Sequence, residues 1–286
     1  MKQIVVLSGK GGTGKTVMTG ALAALVDNKV MVDCDVDAAD LHLLLTPTIM
    51  ERHEFKSGQK AHLDQRACVR CGRCLEVCRF GAVTKNLLID AGSCEGCGLC
   101  ARVCPSHAIT MEDNLCGEWF VSETRFGTMV HAKLGAGEEN SGKLVAQIRQ
   151  AAKEIAKKEL RDWVIIDGPP GIGCPVMASL SGVNAVLLVT EPTCSGLHDA
   201  KRVIDLGKHF KIPVQLVVNK WDINPVVTEQ IEKYCTDNGV AVAGRLPFDR
   251  AVVDAVIQGR TIMEGDSPSL KSEIVKIWEN LRGAML

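Results

Sequence analysis

A doubly wound, mostly parallel α/β sheet interrupted by a small α+β insert is the fold class this sequence predicts, and three observations carry it. Short apolar runs alternate with helix-period segments at both ends of the chain, as βαβ units do. Between about Glu51 and Cys116 that alternation stops, and nine of the thirteen cysteines fall there. Inside this stretch, residues 68–84 (CVRCGRCLEVCRFGAVT) and 94–110 (CEGCGLCARVCPSHAIT) are identical at eight of seventeen positions, the mark of a duplicated unit. The expected division is 1–56 with 113–286 for the sheet domain, and 57–112 for the insert.

Residues 2–7 form a short apolar strand, and 9–14 a glycine-rich loop. Residues 15–26 are good helix formers; 30–32 are a second strand, closed by Asp33 and Asp35; 38–45 are a short helix before Pro47. Beyond the insert, 118–121 and 128–134 predict a hairpin, and 135–142 (GAGEENSG) a mobile loop. Leu144, Ile148, Ala151 and Ile155 recur at helical spacing. Residues 163–166, 185–190 and 214–219 are apolar strands, with a helix over 195–210 between the last two. A final helix over 270–281 carries Ile274, Ile277, Trp278 and Leu281 on one face. Its mixture of Lys271, Glu273, Lys276, Glu279 and Arg282 lacks the cationic face of a membrane-surface helix, so packing on the sheet is expected.

The 286 residues are 46% hydrophobic, with 33 Lys and Arg against 34 Asp and Glu, a formal charge of -1. Such balance excludes nucleic-acid or anionic-membrane binding driven by overall charge. The apolar start ends at Leu7, too short for a secretory core. No run of ~18 apolar residues is present to span a bilayer. A cytoplasmic protein without a membrane anchor is expected. In a reducing compartment thirteen cysteines imply metal ligation rather than disulfides.

Gly9-Lys10-Gly11-Gly12-Thr13-Gly14-Lys15-Thr16 satisfies G-x-x-x-x-G-K-[ST] between a strand and a helix. Glycines let backbone N–H groups curl around phosphate oxygens; Lys15 is placed for the β/γ-phosphates and Thr16 for Mg²⁺. The additional Lys10 makes the loop resemble the deviant Walker A motif of MinD/ParA-type P-loop ATPases. That resemblance implies a nucleotide-dependent homodimer in which Lys10 reaches the partner's phosphates. It implies that Asp35 positions the attacking water, that Asp33 and Asp167 hold Mg²⁺ through water, and that Asn219 and Pro247 line the adenine site beside Gly11, Gly12, Thr13 and Gly14. It covers about 1–45 and 118–286; the insert departs from it.

Cys68, Cys71, Cys74 and Cys78 follow C-x₂-C-x₂-C-x₃-C, and Cys94, Cys97, Cys100, Cys104 and Pro105 repeat it. The spacing resembles bacterial two-cluster ferredoxins, in which the fourth cysteine crosses to the other cluster. The resemblance implies one [4Fe–4S] cluster on Cys68, Cys71, Cys74 and Cys104, and another on Cys94, Cys97, Cys100 and Cys78. Zinc sites, built from two pairs, lack this repeat. Of the remaining cysteines, Cys34 is expected in the core, and Cys194 and Cys235 as small apolar residues. Cys174 matches a cluster-ligating position of the nitrogenase iron protein, with Cys116 as the only second candidate. A buried cysteine under the second switch is the preferred reading of Cys174.

These readings combine into an ATP-binding and hydrolysing iron–sulfur protein that couples nucleotide switching to electron transfer through two clusters, acting on a redox partner. The alternative is an ATP-dependent iron–sulfur or metal-cofactor assembly factor or carrier with an assembly partner. A partition or positioning ATPase ranks third, since neither a basic patch nor a membrane tail is present.

Overall fold

Six residues at the start of the chain fix where everything else goes. In β1 (Lys2–Leu7) every residue from Gln3 onward is buried, so the strand must sit in the middle of a sheet covered on both faces. The elements that follow, in the computed structural model, are α1 (Lys15–Leu25), β2 (Lys29–Asp33), α2 (Leu41–Leu45), β3 (Thr48–Leu63), α3 (Arg73–Val77), α4 (Leu99–Val103), β4 (Ile109–Thr124) and β5 (Gly127–Leu134). After these come α5 (Ser141–Lys158), β6 (Trp163–Asp167), α6 (Cys174–Leu180), β7 (Ala185–Thr190), α7 (Cys194–Phe210) and β8 (Val214–Asn219). The chain ends with α8 (Pro225–Asp237), β9 (Ala241–Leu246), α9 (Arg250–Ile257) and α10 (Pro268–Gly283). The structure describes residues 1–135, 137–138 and 141–285.

Two compact units form: Met1–His53 with Trp119–Lys133 and Ser141–Leu286, and Glu54–Glu118 with Leu134–Asn140. The chain leaves the larger unit within β3 and returns to it within β4. Strand order is β3-β4-β5-β2-β6-β1-β7-β8-β9. β1 runs parallel to both β6 and β7, and β2, β5, β8 and β9 continue the parallel pairing outward. The chain therefore winds away from β1 in both directions, and the crevice beyond its carboxyl end is a topological switch point, where open α/β sheets bind ligands.

The helical expectation for the C-terminus holds. Leu270, Ile274, Ile277, Trp278 and Leu281 of α10 are buried in the main core, and Trp278 meets Trp163 edge-on, centroids 4.9 Å apart. Gly244 of β9 leaves room for Ile277: a Cβ there would come within 2.6 Å of its Cγ1.

Three local expectations change. The expected helix over 38–45 is only Leu41–Leu45, because residues before it turn to present Asp33 with backbone N–H groups. A 16-residue strand, β3, stands where no element was legible. It is an edge strand, and its exposed Glu51, Arg52, Glu54 and Lys56 replace the unbroken apolar run that reveals inner strands. The hairpin's first arm is likewise longer, reaching back to Ile109. Of the loop expected over 135–142, Ala136, Glu139 and Asn140 lie outside the described residues, and Ser141 and Gly142 already belong to α5. No helix among the described residues is long and apolar enough to cross a membrane.

Two outcomes follow from this packing. Ile277→Ala removes a fully buried side chain at the α10–β9 contact and lowers unfolding free energy by about 2–5 kcal/mol, read as a fall in urea midpoint. His131 of β5, hydrogen-bonded to Ser122 at 2.9 Å, has its pKa lowered by burial from 6.5 to about 4. The unfolded chain takes up that proton first, so stability falls as pH drops from about 6.5 toward 4. Titrating the midpoint of His131→Gln over the same window gives a flatter profile.

Candidate functional site

The turn leaving β1 is held from two sides. Gly14 has φ 96°, and a Cβ on it would lie 2.3 Å from Asn219 Nδ2. Glycine is what lets the loop close against the end of β8. The Asn219 amide donates to the Thr13 carbonyl at 2.8 Å, and its Oδ1 accepts the Lys220 N–H at 3.0 Å. On the other side a Cβ on Gly9 would stand 2.3 Å from Asp199 Cβ of α7. Thr13 Oγ1 is buried with no hydrogen-bond partner, an orphaned polar atom inside the curl.

Below the loop, charges converge. Lys15 Nζ lies 3.0 Å from Asp167 Oδ1 and 3.5 Å from Asp35 Oδ2. Thr16 and Thr19 hydroxyls donate to the two oxygens of Asp167 at 2.9 and 2.8 Å. Asp33, fully buried, accepts the N–H groups of Asp35 at 3.1 Å and Leu41 at 3.2 Å. Burial and the neighbouring Asp167 push the Asp33 carboxyl well up; burial also raises Asp35. Burial pulls Lys15 down, but Asp167, Asp35 and Asp33 outweigh it and its pKa is raised. Three carboxylates thus share one ammonium. The carboxylates do not close on one point as direct ligands, so they suit a Mg²⁺ held through its waters, and the orphaned hydroxyl with the curled loop suits a phosphate chain.

Beside the loop an apolar cleft is lined by Val17 and Met18 of α1, Leu246 at the end of β9 and Pro247 after it, and Val253 and Ile257 of α9, with Gly12, Gly14 and Asn219 at its loop side. A planar base fits such walls. Lys10 is the outward group: its Nζ lies 2.6 Å from Glu191 Oε1 and 3.1 Å from Ser195 Oγ. Gly11 stands exposed between them.

In the smaller unit the duplication is visible in the backbone. The positive-φ residues Arg70, Gly72 and Gly81 recur as Gly96, Gly98 and His107, and helix α3 recurs as α4, each 26 residues on. Cys78, Cys94, Cys97 and Cys100 line one cavity. Cys74 is buried in an apolar cluster against which Cys68, Cys78, Cys100 and Cys104 all pack, and the Cys68 and Cys71 thiols are near enough to Cys74 to act on it electrostatically. Burial raises the Cys78 thiol, yet backbone N–H groups of Phe80, Val83, Ala82 and Gly81 bring it below the usual range. Cys104 is treated alike: burial raises it, and Ala108, Ser106 and Ile109 lower it further. Among the described residues, no three His, Cys, Asp or Glu side chains close on one point as a single ion requires. Four thiols around a cavity, with N–H groups directed at sulfur, fit a cube that carries one thiolate per corner.

The outlying cysteines divide differently from expectation. Cys34, Cys116 and Cys235 are buried. Cys174 and Cys194 are exposed, correcting both readings, because each heads a helix (α6 and α7) where the chain turns back beyond the carboxyl end of an inner strand. Sequence reasoning missed Thr19, Glu191, Ser195 and Lys220. Thr19 was findable as the hydroxyl three residues after Thr16 on a helix, and Glu191 as the first charge after a fully buried strand.

The family model described as the CobQ/CobB/MinD/ParA nucleotide binding domain matches residues 4–262. An uncharacterised protein of Methanocaldococcus jannaschii is 35% identical over 98% of this chain and 96% of its own length. An iron–sulfur cluster carrier protein of the same organism is 26% identical over 49% of this chain and 54% of its own. Among solved structures, the cell-division ATPase MinD of Pyrococcus furiosus superposes with TM-score 0.60 over 99% of both chains at 18% identity, a likeness of fold.

Because Asn219 braces the loop through Thr13, Asn219→Ala leaves that carbonyl unpartnered and costs about 1–2 kcal/mol, roughly five- to thirtyfold in nucleotide affinity. Titration with a fluorescent ATP analogue measures it; unchanged affinity would show that the brace is idle.

Proposed function

Since the chain belongs to the CobQ/CobB/MinD/ParA nucleotide-binding family, we propose that it is an ATP-dependent iron–sulfur assembly factor, a P-loop ATPase whose nucleotide cycle governs the passage of iron–sulfur clusters to an acceptor protein. The observation that carries this reading is the presence, in one chain, of the braced phosphate loop and of a cavity lined by Cys78, Cys94, Cys97 and Cys100, four of eight cysteines in a duplicated spacing. The half-length similarity to proteins named as iron–sulfur cluster carriers supports it. So does Cys174, an exposed thiol directly after the loop that follows Asp167.

The residues divide the work as follows. Lys15 turns from Asp167 and Asp35 to the β- and γ-phosphates as they arrive, and Thr16 gives up its bond to Asp167 for the metal. Asp33 and Asp167 hold the metal's waters, and Asp35 orients the attacking water. Bound Mg²⁺ neutralises charge on the β- and γ-oxygens. Lys10 of one protomer serves the site of the other. The loop, the Asn219 side and the Pro247 wall fix the nucleotide. In the smaller unit Cys68, Cys71, Cys74 and Cys104 would hold one [4Fe–4S] cluster, and Cys94, Cys97, Cys100 and Cys78 the other.

A second reading is favoured by one observation: Cys78 lines the cavity of Cys94, Cys97 and Cys100. Crossed ligation of that kind makes closed sites, suited to carrying electrons more than to releasing clusters. ATP would then gate electron transfer to a redox partner.

One anaerobic experiment separates them. Reconstituted protein is mixed with an apo-ferredoxin, with MgATP or with a non-hydrolysable analogue, and cluster transfer is followed by circular dichroism. The assembly reading expects transfer at least several-fold faster with MgATP. The electron-transfer reading expects no transfer, but a nucleotide-dependent shift on the order of 59 mV in EPR redox titration, tenfold in equilibrium constant for one electron. Neither effect would sink both readings.

A further inference from the structure

We propose that Glu191 is the positioning residue of Lys10, holding it within its own protomer until a nucleotide-loaded partner takes it. The inference rests on the reading that Lys10 serves the partner's phosphates, and it adds what controls that lysine beforehand. Glu191 is the residue after β7, at the carboxyl end of a strand adjoining β1, and it is largely buried. Its Oε1 lies 2.6 Å from Lys10 Nζ, and its Oε2 lies 3.6 Å from Lys220 Nζ. Ser195 Oγ accepts a second bond from Lys10 at 3.1 Å and is itself 3.2 Å from the Thr193 hydroxyl that caps α7. Lys220 Nζ also reaches the Gly12 carbonyl at 3.5 Å. One carboxylate therefore ties together two ammonium groups, one from the phosphate loop and one from the end of β8.

The arrangement is an exchange of anions. A lysine cannot keep a carboxylate in one protomer and bind phosphate oxygens in another. A triphosphate carries several negative charges against one for Glu191, so it outcompetes the carboxylate once a loaded partner brings it near. When Lys10 leaves, Lys220 remains opposite Glu191, so the carboxylate is not stranded without a counter-charge. Without a loaded partner, the Glu191 contact disfavours the extended lysine and so disfavours the closed dimer. The contact is partly solvated, which sets its size: pairs of this kind are worth about 0.2–1 kcal/mol, a factor of roughly 1.4 to 5.

The test measures ATPase activity against protein concentration at saturating MgATP. Glu191→Gln keeps the shape and removes the charge. It is expected to lower the protein concentration giving half-maximal turnover about 1.4- to fivefold; Ser195→Ala shifts it in the same direction. Because Lys10→Ala has no turnover to titrate, the double-mutant cycle is read on dimerisation with a non-hydrolysable MgATP analogue by light scattering: Glu191→Gln tightens the dimer when Lys10 is present and has no such effect in a Lys10→Ala background. A midpoint that rises or stays fixed in both variants, or an equal tightening of the dimer with and without Lys10, overturns the proposal. A structural role alone would raise the midpoint. The underlying reading has its own control: Lys10→Ala mixed with Asp35→Ala regains turnover only if Lys10 crosses to the other protomer. Absent recovery overturns that reading and the exchange with it. Recovery with an unmoved midpoint overturns the exchange alone.

Discussion

Three aspartates cannot sit ionised at the ends of adjoining strands without something between them. Asp33, Asp35 and Asp167 are brought together by the parallel register of β2 and β6, where Asp33 and Asp167 are direct neighbours. The compensating charge is the ammonium of Lys15, delivered from the first turn of α1. Its position in turn demands the tight turn after β1, the glycine at position 14, and the brace from Asn219. Burial makes each of these charges expensive alone, as the raised carboxyls of Asp33 and Asp35 show. Together they leave an excess of negative charge beneath a loop of N–H donors. Such a place favours a cation and a phosphate arriving as a pair.

The inner half of the fold was legible because burial leaves a signature in composition. Strands such as Val186–Val189 are covered on both faces and read as unbroken apolar runs. The phosphate loop was legible because its backbone geometry restricts residue type. Edge strand β3 was not, because solvent on one side lets charged residues occupy a strand without cost. Helix α8 was also missed, though Asn224 caps it through Val227 N–H and Pro225 opens it, a start signal present in the sequence. The aspartates, the loop lysines and Asn219 could be named from motifs. That Lys10 is tethered by Glu191, or that Asn219 spends both polar atoms inside the protein, are facts of distance between segments remote in sequence.

Exposure was the least legible property. Cys174 was read as buried and Cys194 as an ordinary small apolar residue, yet each is exposed at the start of a helix that follows an inner strand. Side chains at a helix start are turned by the chain's change of direction, which hydrophobic periodicity does not encode.

The duplicated halves of the smaller unit share a backbone path but not a mechanical situation. At Gly96 a Cβ would lie 1.9 Å from the Gln59 carbonyl, whereas the equivalent position in the first half holds Arg70. One loop is pressed against β3 and admits only hydrogen as a side chain; its twin stands free and carries a long cation. Copies that began alike have therefore drifted into unequal freedom. Position 70 can take side chains that position 96 cannot, since the Gln59 carbonyl bars any Cβ there.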